Sequence, residues 1–199
     1  SADWEIYWAA GVGTMGSAPS QLVGETAALT VLLAELRAQS MLLDKPGAIA
    51  FASSAGAIYA GSRDEIVTEN SLPAPTTAYA AEKLRQEEAL SGFVQASPNL
   101  RVLIARISTL YGTSRHTGKR QGLLTYIARA VIRKEPVNIY VPFDTIRDYI
   151  HADDAASALI ETLRAARHQA GREVKVIASE RPATVAEIAK VFGEAKTLI

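Results

Sequence analysis

The chain has 199 residues, 48% of them hydrophobic and 21% charged. That composition can bury a core, and it excludes disordered, collagen-like and small disulfide-scaffold proteins. Lys plus Arg and Asp plus Glu each number 21, so a net charge of zero offers no electrostatic footprint for nucleic acid or an anionic membrane, and neither is expected as a partner. Cysteine is absent, which excludes disulfides, thiolate metal sites and cysteine nucleophiles; no metal site is expected. The length suits one ordinary domain with an appendage. The uncharged stretch from Ile6 to Gly24 is interrupted by Gly11, Gly13, Gly16 and Pro19, so no leader or spanning segment is read there and a cytoplasmic protein is expected.

Apolar runs alternate with helical patterns along the chain. Glu5 to Ala10 reads as a strand ending in glycines. Glu25 to Ser40 reads as a helix with Leu29, Leu32, Leu33 and Leu36 on one stripe. Ala48 to Ser53 is a second strand, followed after a Pro/Thr-rich loop by a helix from Thr77 to Ser91 that Gly92 closes. Arg101 to Arg106 is a third strand. These strands are continuous apolar runs separated by helices, the pattern of a parallel sheet covered on both faces, so the fold class is α/β. Beyond Gln121 a helix to Lys134, a strand at Val137 to Val141, a helix from Asp153 to Gln169, a strand at Val174 to Ala178 and a helix from Thr184 are expected. Thr184-Val185-Ala186-Glu187 fits a capping box. Gly112 to Gly122, with Arg115, His116, Lys119 and Arg120 between the glycines, reads as a mobile basic loop.

Gly11-Val12-Gly13-Thr14-Met15-Gly16 has the spacing of a dinucleotide-binding turn and follows a strand. The acid that should end the next strand and hold a ribose is missing, because that strand ends at Ser53 and Ser54. The turn therefore reads as a glycine-rich connection from strand to helix.

Tyr79-Ala80-Ala81-Glu82-Lys83 puts a phenol and an ammonium at i and i+4 on one helix face. Ser53 and Ser54 lie at the C-terminal end of a predicted parallel strand, where open α/β sheets place their ligand crevice. A phenol with a pKa near ~10 is a weak base at neutral pH, and an adjacent ammonium favours its phenolate. A serine hydroxyl can hold the oxygen whose proton the tyrosine exchanges. Together they suit oxidation of an alcohol by hydride transfer to a nicotinamide.

Four motifs in order carry a family resemblance: Phe51-Ala52-Ser53-Ser54-Ala55-Gly56-Ala57-Ile58-Tyr59, Tyr79 to Lys83, Arg106-Ile107-Ser108-Thr109-Leu110-Tyr111-Gly112, and Arg147-Asp148-Tyr149-Ile150-His151-Ala152-Asp153-Asp154. The chain resembles the extended short-chain dehydrogenase/reductases, and among them the NAD-dependent sugar-nucleotide epimerase/dehydratase family. The resemblance implies a Rossmann-like parallel sheet with flanking helices, incomplete here, plus part of a small C-terminal substrate-binding subdomain. It implies residues 1–112 as the C-terminal half of a catalytic domain, and 113–199 as a mixed region that contributes to the sheet and to the subdomain. By resemblance Ser54 binds substrate, Tyr79 is the acid/base, and Lys83 lowers the tyrosine pKa and binds the nicotinamide ribose. Arg106 and Ser108 belong to the cofactor's nicotinamide end, with Ser53 and Tyr59 near the substrate. Arg147 faces either a substrate phosphate or an ion pair with Asp148 or Asp153. The chain matches the family from its fourth strand onward, so the glycine-rich turn that holds the adenosine and pyrophosphate lies outside the match. The asparagine usual in the first helix falls at Ala27 or a neighbour, and the one before the Tyr-Gly pair is Thr109.

An NAD- or NADP-dependent enzyme acting on a sugar nucleotide is the leading expectation, with these residues alone binding the cofactor weakly. A reductase of a small carbonyl compound and a non-catalytic remnant are the alternatives. Family members dimerise through the two helices present here, and Ala27, Ala28, Ala80, Ala81 and Ala89 permit close helix approach, so a homodimer is expected.

Overall fold

The computed structural model describes residues 4–112, 122–165 and 169–193, and the backbone of 197–198. In chain order its elements are β1 (Trp4–Trp8), α1 (Pro19–Ala38), α2 (Ser40–Leu43), β2 (Gly47–Ser54), α3 (Ala55–Ile58), α4 (Ala78–Gln95), β3 (Leu100–Ile107) and β4 (Thr109–Tyr111). There follow α5 (Leu123–Arg133), β5 (Val137–Asn138), β6 (Ile146–His151), α6 (Ala152–Ala165), β7 (Gly171–Ile177), β8 (Pro182–Thr184), α7 (Val185–Val191) and β9 (Thr197–Leu198). The chain divides into two units, Ser1–Ile107 with Ser157–Ile177, and Ser108–Ala156 with Ala178–Ile199.

The first unit is built on a four-stranded parallel sheet in the order β1-β2-β3-β7, the Rossmann-like arrangement. Period-two alternation decides what each face meets. Ile49 and Phe51 of β2 and Val102 and Ile104 of β3 point to one face. There they pack with Leu29, Leu33 and Leu36 of α1 and Leu90, Phe93 and Val94 of α4. On the other face Ala48, Ala50 and Leu103 meet Leu163 of α6, and the two alanines leave room for that helix. Every residue of β3 is buried, as expected of a central strand covered on both faces. The outer edge of β7 is met by the loop after α3: the Glu69 carboxylate accepts the Val176 N–H at 3.1 Å, and Val67 packs against the Ala55–Tyr59 cluster beside Val176.

Several boundaries differ from the sequence expectations. α1 begins at Pro19, well before Glu25, because proline at the first helical position costs no hydrogen bond and its fixed φ suits the helix. The Gln21 side chain accepts the Ala18 N–H at 2.9 Å and closes that end. Gly92 does not end α4. The helix runs on to Gln95, since Phe93 and Val94 are buried in the core and their packing outweighs the ~1 kcal/mol propensity cost of glycine. The strand expected over Val137 to Val141 is only Val137–Asn138, and α6 ends at Ala165 within the described residues.

The second unit contains β4 and β6 in parallel, β8 antiparallel to β6, and a short β5–β9 pair. Its core joins Ile127 and Ala130 of α5 to Val137, Ile139 and Val185. Thr184 caps α7 in the expected box: its hydroxyl accepts the Glu187 N–H at 3.1 Å, and the Glu187 carboxylate accepts the Thr184 N–H at 2.7 Å. The basic residues Arg115, His116, Lys119 and Arg120 lie outside the described residues. Among those described, no helix is long and apolar enough to cross a membrane.

Asp148 on β6 ties this unit together. Its Oδ1 accepts the Ser108 hydroxyl at 2.6 Å and the Ser179 N–H at 2.9 Å, and its Oδ2 accepts the Ser179 hydroxyl at 2.8 Å and the Arg181 N–H at 3.1 Å. Burial pushes the carboxyl up, but these donors outweigh it and hold the group below its ordinary value. A depressed carboxyl contributes stability that is complete above its unfolded pKa and is lost as pH falls through the folded one. Asp148→Asn should therefore destabilise the protein by about 1–3 kcal/mol at pH 7, since its amide turns a donor toward the N–H groups. It should also flatten the acid limb below about pH 4. Urea unfolding at pH 7 and pH 3 tests this, and equal midpoints for variant and parent at pH 7 would refute it.

Candidate active site

Thr77 starts α4 by accepting the Ala80 N–H at 3.2 Å, which fixes the helix phase from its first turn. Tyr79 and Lys83 then lie one above the other. The Lys83 ammonium is 5.8 Å from the Tyr79 ring centroid and 5.0 Å from that of Phe51 on β2, and it donates to Gln86 Oε1 at 3.3 Å. Lys83 is 5% exposed, so its charge is held largely by aromatic faces. Burial pushes the Lys83 pKa down against the pull of Glu25 and Glu87. The Tyr79 hydroxyl forms no hydrogen bond among the described residues and is not sealed from solvent. Its phenol is pushed above the ordinary value, by burial first and then by Glu25. That direction is opposite to the one the Tyr–Lys spacing suggests, because burial disfavours the phenolate and the Glu25 charge adds to it.

Ser54 ends β2 and caps α3, accepting the Ala57 N–H at 3.3 Å, which leaves its own proton free to donate. Ser53, one residue earlier, points to the opposite side of the strand and donates to Glu87 Oε1 at 2.6 Å. The Arg106 guanidinium grips the same carboxylate, Nε to Oε1 at 3.1 Å and Nη2 to Oε2 at 2.7 Å, and also donates to the Tyr59 hydroxyl while lying over that ring. Ser53, Tyr59, Glu87 and Arg106 are all under 7% exposed. The structure thus gathers three of the expected ligand-binding residues around Glu87, each with its polar atoms engaged inside the protein. Glu87 escaped the sequence reading; its one available signal was its place one turn beyond Lys83.

The glycine turn holds an anion of the protein's own. Glu25 Oε1 accepts the Val12 N–H at 2.6 Å and the Gly13 N–H at 2.5 Å. A Cβ on Gly13 would lie 2.5 Å from Leu22 Cδ2, 3.0 Å from Glu25 Oε1 and 3.1 Å from Tyr79 Cδ2, so only glycine lets these side chains close on the turn. Gly11, at φ +148°, has a backbone that side-chain-bearing residues rarely adopt.

In the second unit the Ser108 hydroxyl is given to Asp148. Asp148 in turn is committed to Ser108, Ser179 and Arg181, and Asp153 lies 3.7 Å from His151; Arg147 is exposed and forms no ion pair among the described residues. Among those residues no group of three or more acidic or histidine side chains could hold a metal ion.

The chain matches the NAD dependent epimerase/dehydratase family over residues 5–178. It is 28% identical to a UDP-glucose 4-epimerase of Neisseria gonorrhoeae, across 94% of this chain and 58% of that protein. It is also 28% identical to a dTDP-L-rhamnose 4-epimerase of Burkholderia thailandensis, across 61% and 33%. A solved structure of MoeE5 in complex with UDP-glucose and NAD is 29% identical, with a TM-score of 0.64 over 74% of this chain and 47% of that one. The chain therefore spans between a third and three fifths of the length of the curated relatives it matches. With the match covering most of its residues, the parallel sheet and the Tyr–Lys helix have a lineage: this chain belongs to the NAD dependent epimerase/dehydratase family.

Proposed function

We propose that this chain carries the acid–base machinery of an NAD(P)-dependent enzyme that oxidises a hydroxyl of a nucleoside-diphosphate sugar, in the manner of an epimerase or dehydratase. The observation that carries this reading is the Tyr79–Lys83 pair on α4, docked through Lys83 on Phe51 three residues before the Ser54 strand end. UDP-glucose and dTDP-L-rhamnose in the names of relatives favour a sugar nucleotide over a small carbonyl compound. A cytoplasmic location is the reading that the cysteine-free sequence favours.

The residues present fit one end of the cofactor. Tyr79 and Lys83 would hold the nicotinamide end, whereas the glycine turn already gives its Val12 and Gly13 amides to Glu25 and its Thr14 amide to Ser17. When bound, the nicotinamide supplies a hydride acceptor. Tyr79 takes the proton of the reacting hydroxyl and later returns it, and its free hydroxyl allows a substrate oxygen to approach. Ser54 holds that oxygen, accepting from or donating to it as its proton moves. Lys83 is the positive charge on the tyrosine's own helix face that would favour the phenolate, working against the burial and the Glu25 charge that raise the Tyr79 pKa. Arg147, exposed and unpaired among the described residues, is suited to a substrate phosphate. Ser53, Tyr59 and Arg106 support the strand ends from within.

In a polypeptide that turns over UDP-glucose with NAD⁺, Tyr79→Phe should lower turnover about 100-fold while leaving the thermal midpoint in place, general acid–base steps being worth that much. Equal rates in variant and parent would refute the assignment. Calorimetric titration of the 199 residues with NAD⁺ should show no micromolar binding, and a polypeptide that adds a glycine-rich strand–turn–helix should gain it. Micromolar binding by the 199 residues would mean that a nucleotide displaces Glu25 from the turn.

The homodimer is part of the same proposal. α1 leaves Val23 64% and Val31 61% exposed, with Ala27 and Ala28 between them, an apolar strip facing water. Sedimentation should show a dimer that Val31→Glu shifts toward monomer, and a parent monomeric over a wide concentration range would remove the idea.

A further inference from the structure

The carboxylate that fills the glycine turn has a second oxygen with nothing to bind. Glu25 Oε1 takes both the Val12 and Gly13 amides, while Oε2 is buried and has no hydrogen-bond partner among the described residues. A half-buried carboxylate with one oxygen sealed off and unsatisfied is costly to keep, and an apolar residue at this position of α1 would avoid that cost. The turn also closes on the tyrosine: the space above Gly13 is bounded by both Glu25 Oε1 and the Tyr79 ring.

We propose that Glu25 is a positioning residue of the Tyr79–Lys83 site, a carboxylate that holds the turn after β1 against the tyrosine ring and serves as counter-charge to the Lys83 ammonium. The proposal rests on the reading of Tyr79 and Lys83 as the acid–base pair. The charged groups around that pair are few. α1 contributes Glu25, α4 contributes Lys83 and, one turn on, Glu87, while the 9–18 turn and β2 carry no titratable side chain. Glu87 is engaged by Arg106, so Glu25 is the carboxylate of the set that carries no cationic partner in direct contact. Its charge disfavours the phenolate and favours the ammonium. In the chain without cofactor its charge therefore pulls both groups toward their protonated forms, against the burial that lowers the Lys83 pKa and together with the burial that raises that of Tyr79. A phenol that donates serves return of a proton to an alkoxide, the step that ends a reduction.

Glu25→Gln is the discriminating variant, since its amide oxygen still accepts from Val12 and Gly13 while the charge is gone. Phenolate formation at Tyr79 can be followed by ultraviolet titration of the 199-residue chain, taken as a difference against the same protein carrying Tyr79→Phe. In Glu25→Gln the acid constant of that phenol should rise about tenfold, the effect of removing one nearby charge. Amide exchange at Val12 and Gly13 should stay slow in Glu25→Gln and become fast in Glu25→Ala. Identical phenolate titration in parent and Glu25→Gln would overturn the counter-charge role, and slow exchange in Glu25→Ala would overturn the positioning role. Neither readout involves turnover. If Tyr79→Phe instead left turnover untouched, the enzymatic reading would fail while the titration result stood.

Discussion

The ends of β2 and β3 are held where they are by one buried ion pair. Arg106 rises from the C-terminal end of β3, Glu87 comes from the middle of α4, and Ser53 and Tyr59, from the end of β2 and the turn beyond α3, complete the shell around them. Two charges out of water are expensive, and the geometry here offsets the cost by engaging both carboxylate oxygens and three guanidinium nitrogens. Removing either partner would leave an uncompensated charge in the core, a loss of about 3–5 kcal/mol. The pair also fixes the rotation of α4 against the sheet. That rotation sets which face carries Tyr79 and Lys83, so the geometry of the candidate site is inherited from a contact one turn further along the helix.

The parallel sheet was legible because β2 and β3 each carry an unbroken apolar stretch, Gly47 to Ala52 and Val102 to Ala105, and no amphipathic alternative competes for either. The start of α1 was less so. Its first turns, from Pro19 to Gly24, contain glycine, serine and proline and have no leucine stripe, so periodicity took hold only near Glu25 although the helix begins at Pro19. β6 went unread as a strand since Ile146 to His151 mixes four charged or titratable residues into six, and its pairing comes from β4 and β8, which are distant in sequence. Short strands held by non-local partners leave little local signature.

At the site the legible part was the part set by local spacing. Tyr79 and Lys83 share a face because i and i+4 do so on any helix. What spacing could not convey was the destination of side chains facing inward. Ser53 and Ser54 are adjacent and chemically identical, and only the pleat decides that one meets Glu87 and the other caps a helix. Glu25 is the sharper case. Its role depends on a turn folding back on a helix whose true start was hidden, so nothing in the local spacing set Glu25 apart from the other helix residues.

The contact between Glu69 and the Val176 N–H bears on how the protein behaves in a crowd. A strand at the rim of a parallel sheet offers its neighbours a ladder of open amides, and other chains can add to it without limit. On β7 one rung of that ladder is already taken by a carboxylate from a surface loop, with Val67 packed below to keep the loop in place. An incoming strand would have to displace an acceptor bound through charge and would meet its negative field before making its own first bond. Sheet growth is thereby discouraged on the β7 side of the sheet.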